Sequence, residues 1–420
     1  MKKYPEFQIQ QALHSVCYAS SVEEARRKFK DNISLLADWR IIYATDEASG
    51  PFGFPRQKFS DRGFVSTLLR GESVWILDKE SVMSEARVNY VGGGSVFLDS
   101  NAASFIRKIA YVESISPEMD SVREDFYRTF SAEDLGRLNS YLYLCEAQKT
   151  WDDKTRRRCK ETIAAVYALS LDEDPLGQGW PERFRAIHKP DAETFAEAWF
   201  EKFTDTLRAG LSEVIEQHAA AAECMILRTK IIQHSSPASP EAKMEELLKF
   251  MNDELRIFML RELIVCADIL FHTNKTNLSK KLNSILSQKD PLHTVNNCAW
   301  DLFFLRMIDS LSNPKYLPGI NFCLDRLITF DEDIIDVMCL TELRAMAIHL
   351  GSNRAFPFYN NDLVEWLVDL IGHKRMARFS ESLQEDAFNL RADLRSPEKV
   401  RMILEQDRQR LLQLATELKV

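Results

Sequence analysis

Three aspartates in this chain sit where a carboxylate could do chemistry. Asp99 follows the apolar run Ser95-Val96-Phe97-Leu98, and Ala102 to Ala110 after it read as a helix. Asp301 lies at the start of "AWDLFFLRMID", and Asp331 follows "RLITF". Two of the three therefore close strand-like segments, and the third opens a helix. In an open α/β sheet, ligands gather outside the carboxyl ends of the strands, so the three could converge. Bare carboxylates about 4 Å apart repel by about 4 kcal/mol at an effective dielectric of 20. A hard divalent cation turns that repulsion into binding. All-oxygen ligation suits Mg2+ or Mn2+, which retain waters and bridge to phosphates. Such an ion activates water and stabilises a phosphoryl transition state.

Each residue also has a plainer reading. Asp99 could be the N-cap of the following helix, although Ser100 or Asn101 could take that job. Asp301 could cap its own helix. Asp78, in "SVWILDKE", is a rival strand-end aspartate that reads as a turn. Arg306 and Asp309 could pair across one helix face. Glu262 could pair with Arg261. Asp333 and Asp336 read as complements to a helix dipole.

The elements that must position these groups follow from patterning. Residues 1–64 are mixed, with "SVEEARRKFKDNISLLADWRIIYA" helical by periodicity and "GPFGFPRQKFSDRGF" a turn-rich loop. "FVSTLLRGESVWILDKE" reads as two extended segments. Residues 113–249 read as helical. Ser131 caps one helix there, the stretch around Gly210 reads as one long helix or as two broken at that glycine, and "HSSPASPEAK" is a linker or loop. Residues 250–340 carry a buried helix ("RELIVCADILF"), a short helix ("NNCAWDLFFLRMIDSL"), the loop "NPKYLPG" and the strand before Asp331. Residues 341–420 read as helical, ending in a heptad-like stripe of Val400, Leu404, Leu411, Leu414 and Leu418.

Composition narrows the field. The 420 residues allow two or three domains, and a net charge of −9 argues against bulk coating of nucleic acid or membrane. The N-terminus lacks the apolar core of a secretory signal, and no apolar run is long enough to span a bilayer. Eight scattered cysteines read as reduced thiols of a cytoplasmic protein. Phosphate-binding glycine loops, nucleophile elbows and zinc spacings are absent. The densest basic run, "KTRRRCKE", offers Lys154, Arg156, Arg157, Arg158 and Lys160 as a solvated helix face or a phosphate-tracking surface.

"SVFLDSNAASFI", "AWDLFFL" and "LITFDEDI", taken in order, resemble the three anchor motifs of PIN-like (PilT N-terminus) nucleases. Asp99 with Asn101, then Asp301, then Thr329-Phe330-Asp331 match that pattern. The resemblance covers residues 95–112 and 250–340. It implies an α/β fold with a PIN-like parallel-sheet core, a large helical insertion and a helical C-terminal region. The core would be built from 65–112 and 250–340, with 113–249 inserted. It further implies Mg2+ or Mn2+ held by Asp99, Asp301 and Asp331. Asn101 and Thr329 would position substrate, and a fourth acid would come from an intervening helix. Glu262 is the choice there, with Glu254 and Glu146 behind it. The implied activity is hydrolysis of RNA, or of single-stranded DNA, by metal-bound water. By analogy the setting is a bacterial toxin or anti-phage effector, governed by an inhibitory or activating protein partner, with homo-oligomerisation left open. The spacing departs from the family pattern in the long stretch between Asp99 and Asp301. The rival reading is a non-catalytic, mainly helical interaction protein with a degenerate nuclease fold.

Overall fold

The structure is a computed structural model and describes residues 6–47, 50–54, 56–84, 88–311, 319–352, 354–383 and 385–417. The loop expected at "NPKYLPG", apart from Gly319, and Leu418 of the heptad-like stripe lie outside the described residues.

The chain folds as a mixed α/β protein in which helices predominate and both principal sheets are small. Its strands are β1 (Trp39–Thr45), β2 (Phe52–Gly53), β3 (Gln57–Phe59), β4 (Gly63–Ser66), β5 (Ser73–Leu77), β6 (Gly92–Gly93), β7 (Val96–Leu98), β8 (Leu138–Asn139), β9 (Phe322–Cys323), β10 (Arg326–Thr329), β11 (Leu343–His349) and β12 (Arg354–Tyr359). One sheet has the order β3-β4-β10-β7-β8. Within it β10, β7 and β8 run parallel, while β3 and β4 are antiparallel additions. The short parallel pair β6–β9 precedes β7 and β10 along the chain. The second sheet, β12-β11-β1-β5-β2, is antiparallel throughout.

The second sheet corrects two expectations. Residues 39–45 form a buried strand rather than the end of a helix. Residues 343–359 are two strands, so the C-terminal region is not wholly helical. "LRAMAIH" is rich in helix formers, but pairing with β1 and β12 on its two edges decides its state. This is tertiary context overriding propensity. Pro357 is tolerated because β12 is an edge strand. The two extended segments read at 65–78 are strands, yet β4 and β5 belong to different sheets.

The inserted region is helical apart from β8. Helix Lys189–Thr206 runs into Ser212–Ser235 through a wide turn holding Gly210, whose φ of 117° is left-handed. Ser131 accepts from the backbone N–H of Asp134, as its capping role requires. The largest apolar core spans both sheets and takes in helices Leu260–Leu270 and Pro291–Leu311. Seven of the eight cysteines are buried thiols, and Cys339 is exposed. Among the described residues, no helix is long and apolar enough to cross a membrane.

Candidate functional site

The joint after β7 is built around Asp99. Its backbone N–H continues the ladder, donating to Ile328 O at 3.1 Å. Its side chain caps helix Ser100–Tyr111 by accepting from Ala102 N at 2.6 Å. The other carboxylate oxygen accepts from Thr329 Oγ1 at 2.6 Å and from Phe330 N at 3.1 Å. Asp99 is therefore the cap that Ser100 and Asn101 could have supplied, and it also clamps the end of β10. Thr329 is fully buried, and its hydroxyl also accepts from Asp331 N at 3.0 Å. That geometry makes Thr329 a positioning residue for two aspartates and leaves it no surface for substrate. Asn101 is exposed on the first helical turn.

Asp331 closes β10 and caps helix Glu332–Leu340, accepting from Asp333 N at 2.9 Å. Asp301 lies in the middle of the 21-residue helix Pro291–Leu311, not at its start. The helix begins earlier because Asp290 precedes a proline at the first helical position and accepts from His293 N at 3.1 Å. Asp301 consequently caps nothing. No hydrogen bond to its carboxylate is present among the described residues.

These carboxylates share one electrostatic neighbourhood. Burial raises the pKa of Asp99 to about 6, against the pull of its three hydrogen bonds, and the charge of Asp331 adds to the rise. Asp301 is pushed well up by burial and then by Asp331, Glu146 and Asp333. Asp331 is raised by burial and by Asp333. Asp99 and Asp331 thus close two parallel neighbouring strands, and the charge of Asp331 reaches both Asp99 and Asp301, on which Glu146 and Asp333 also bear.

Glu146 sits on helix Tyr141–Ala147, where Ser100 Oγ donates to it and Lys149 Nζ donates at 3.1 Å. Lys281 pairs with Asp333. Sequence reasoning ranked Glu146 behind Glu262 and read Asp333 only as a dipole complement. Their signals were faint: an i,i+3 Glu146–Lys149 pair, and two acids in the first turn after Asp331.

Glu262 does not join this group. It is buried at the start of helix Leu260–Leu270 against Arg306, while Arg261 pairs with Asp309 at 3.1 Å. The Arg306–Asp309 and Arg261–Glu262 pairings expected from spacing are thus exchanged. Glu254 pairs with Arg228 at 3.0 Å on yet another face. Asp78 is a structural cap with a capping box, held by Arg40 at 2.9 Å and Tyr90 at 2.6 Å. The basic run lies on helix Asp153–Leu169, with Lys154, Arg156, Arg157 and Arg158 exposed. Arg157 donates to Glu161 at 2.8 Å, Lys160 to Glu197 at 2.6 Å, and Arg156 lies over Trp151. Much of its positive charge is already matched.

A divalent cation would suit this donor set by charge. Asp301 is an acid whose neighbours make ionisation costly and whose carboxylate meets no hydrogen-bond donor among the described residues. Among those residues, however, no group of three or more His, Cys, Asp or Glu side chains that could hold a metal ion is present. Mg2+ keeps several waters and is commonly held through one or two carboxylates. No protein-family model, curated protein or solved structure matches this chain.

Proposed function

We propose that the chain is a metal-dependent nuclease with a PIN-like core, acting on RNA or single-stranded nucleic acid. What supports this reading is that Asp99 and Asp331 close the parallel strands β7 and β10 and that the charge of Asp331 helps to raise the carboxyls of both Asp99 and Asp301. Asp301 and Asp331 would hold Mg2+ or Mn2+, with Asp99 beside them and Glu146 replacing Glu262 as the fourth acid. The ion would supply Lewis acidity and an activated water. Asp99 fixes the strand ends, so that Asp331 keeps its place through Thr329. Lys149 and Lys281 stand at the edge of the acidic group and would meet substrate phosphates there. An effector governed by a protein partner remains the proposed setting.

A second reading rests on those same lysines. Each is already paired with an acid of the cluster, as in a structural network that holds no ion. It makes the chain a non-catalytic interaction protein with a degenerate nuclease fold.

The deciding experiment incubates the purified chain with labelled single-stranded RNA and DNA, with Mn2+, with Mg2+ or with chelator. Cleavage that needs metal and is lost in Asp301→Asn and Asp331→Asn supports the nuclease. Cleavage unchanged by chelator or by these substitutions overturns it. Absence of both cleavage and any metal-induced rise in melting temperature selects the second reading.

A further inference from the structure

A cavity of about 920 Å³ opens between helix Leu260–Leu270, the edge strand β12 and the C-terminal helices. Its size falls within the roughly 300–1,000 Å³ usual for small-molecule sites. Its lining includes two ion pairs in which buried Arg261 and Glu262 meet the half-buried Asp309 and Arg306 respectively. Buried ion pairs are poor sources of stability, so an arrangement of this kind is better explained by what it holds in place. Here it fixes Arg306 beneath the cavity. Arg395 is exposed at the rim, and no ion pair engages it among the described residues. Arg306 and Arg395 both bear on His218, whose pKa falls to about 4, first through burial and then through these two cations. The cavity lining therefore holds Arg261, Arg306, Arg354 and Arg395 against the two acids Glu262 and Asp309.

Aromatic side chains also line the cavity, with Phe258 stacked on Phe379 and Phe388 lying under Arg391. Phe258 and Phe388 meet edge to face at 6.3 Å, and Tyr359 projects from β12 beside Arg261. A cationic subsite joined to a flat aromatic one fits a ligand that carries both an anion and a ring. Arginine is the preferred side chain for phosphate, and aromatic faces stack bases with little regard to sequence. We propose that this cavity binds a nucleoside phosphate, its phosphate on Arg306 and Arg395 and its base against Phe258 and Phe388. The proposal does not depend on the acidic cluster.

The test is calorimetric titration of the full chain with AMP, adenosine, inorganic phosphate and a 5′-phosphorylated oligoadenylate. AMP binds, and adenosine or phosphate alone binds at least about tenfold more weakly, because each fills only one subsite. Arg395→Ala weakens AMP binding by about tenfold and leaves the melting temperature of the free protein unchanged. Phe388→Ala weakens AMP and adenosine together. AMP tighter than the oligonucleotide assigns a free nucleotide, and the reverse assigns a strand end. Both keep the proposal. It is overturned if neither AMP nor the oligonucleotide binds, if phosphate alone binds as tightly as AMP, or if Arg395→Ala binds like wild type.

Discussion

Asp99 and Asp301 are chemically the same residue under opposite structural demands. Asp99 accepts three hydrogen bonds across its two oxygens. Asp99→Ala removes a cap worth about 1 kcal/mol and strands the buried Thr329 hydroxyl at about 1–3 kcal/mol, so a loss of about 2–4 kcal/mol is expected in denaturant unfolding. Among the described residues no hydrogen bond reaches the Asp301 carboxylate, and the charges of three other acids bear on it. Asp301→Asn should therefore melt at or above the wild-type temperature when metal is removed. The pH dependence has a definite sign. Raised carboxylate pKa values mean that the folded state holds protons the unfolded state has released. Metal-free stability from this cluster is greatest below the ordinary carboxylate range. For Asp99 it is lost as pH climbs through about 6, and for Asp301 and Asp331 the loss runs the same way. Calorimetric melts from pH 4 to pH 8 should show wild type losing ground to Asp301→Asn as pH rises. Mg2+ at ten times its dissociation constant should restore about 1.4 kcal/mol, of order 1–3 °C, to wild type alone. Parallel pH profiles for the two proteins would mean that the acids do not share a site.

Helices and turns read well from the chain where a local signal existed. Gly210 was legible as a break because only glycine takes a φ of 117° at little cost. No neighbour stands within 4 Å of a Cβ added there, so Gly210→Ala tests backbone strain alone. It should destabilise by about 1–2 kcal/mol, with no change in cavity binding. The strand-end aspartates were legible for a similar reason, since apolar runs ending in Asp name both the strand and its exit. Two other features were not. β11 is a strand because of its partners, and no window of "LRAMAIH" contains them. Glu262 was preferred to Glu146 because it lies on the more apolar helix. Burial alone does not say which charge a buried acid meets, and Glu262 meets Arg306. Asp301 was placed at a helix start because the apolar stretch begins there, although the Asp290-Pro291 signal lies upstream.

The whole molecule carries a net charge of −9, and the best basic run is partly ion-paired. Arg157→Ala should therefore change RNA affinity by less than about twofold in fluorescence anisotropy and leave the salt slope nearly intact. A large loss would return that helix to the role of a phosphate track. Sheet topology has a further consequence, for the order in which the molecule can be made. β1 is flanked by β5, which follows it closely, and by β11, which does not. Trp39 pairs with His349, about three quarters of the chain's length away. β7 waits in the same way for β10. At about 5–20 residues per second, a ribosome holds those strand edges unpaired for on the order of tens of seconds. Neither sheet can close until the last quarter of the chain emerges, so the nascent protein exposes unpaired strand edges for that time. A chain stopped after Thr341 keeps every proposed acidic ligand, yet it lacks β11 and β12. It should pellet on expression where the full chain stays in the supernatant, and soluble truncated protein with intact β-sheet circular dichroism would show that the edge of β1 tolerates exposure.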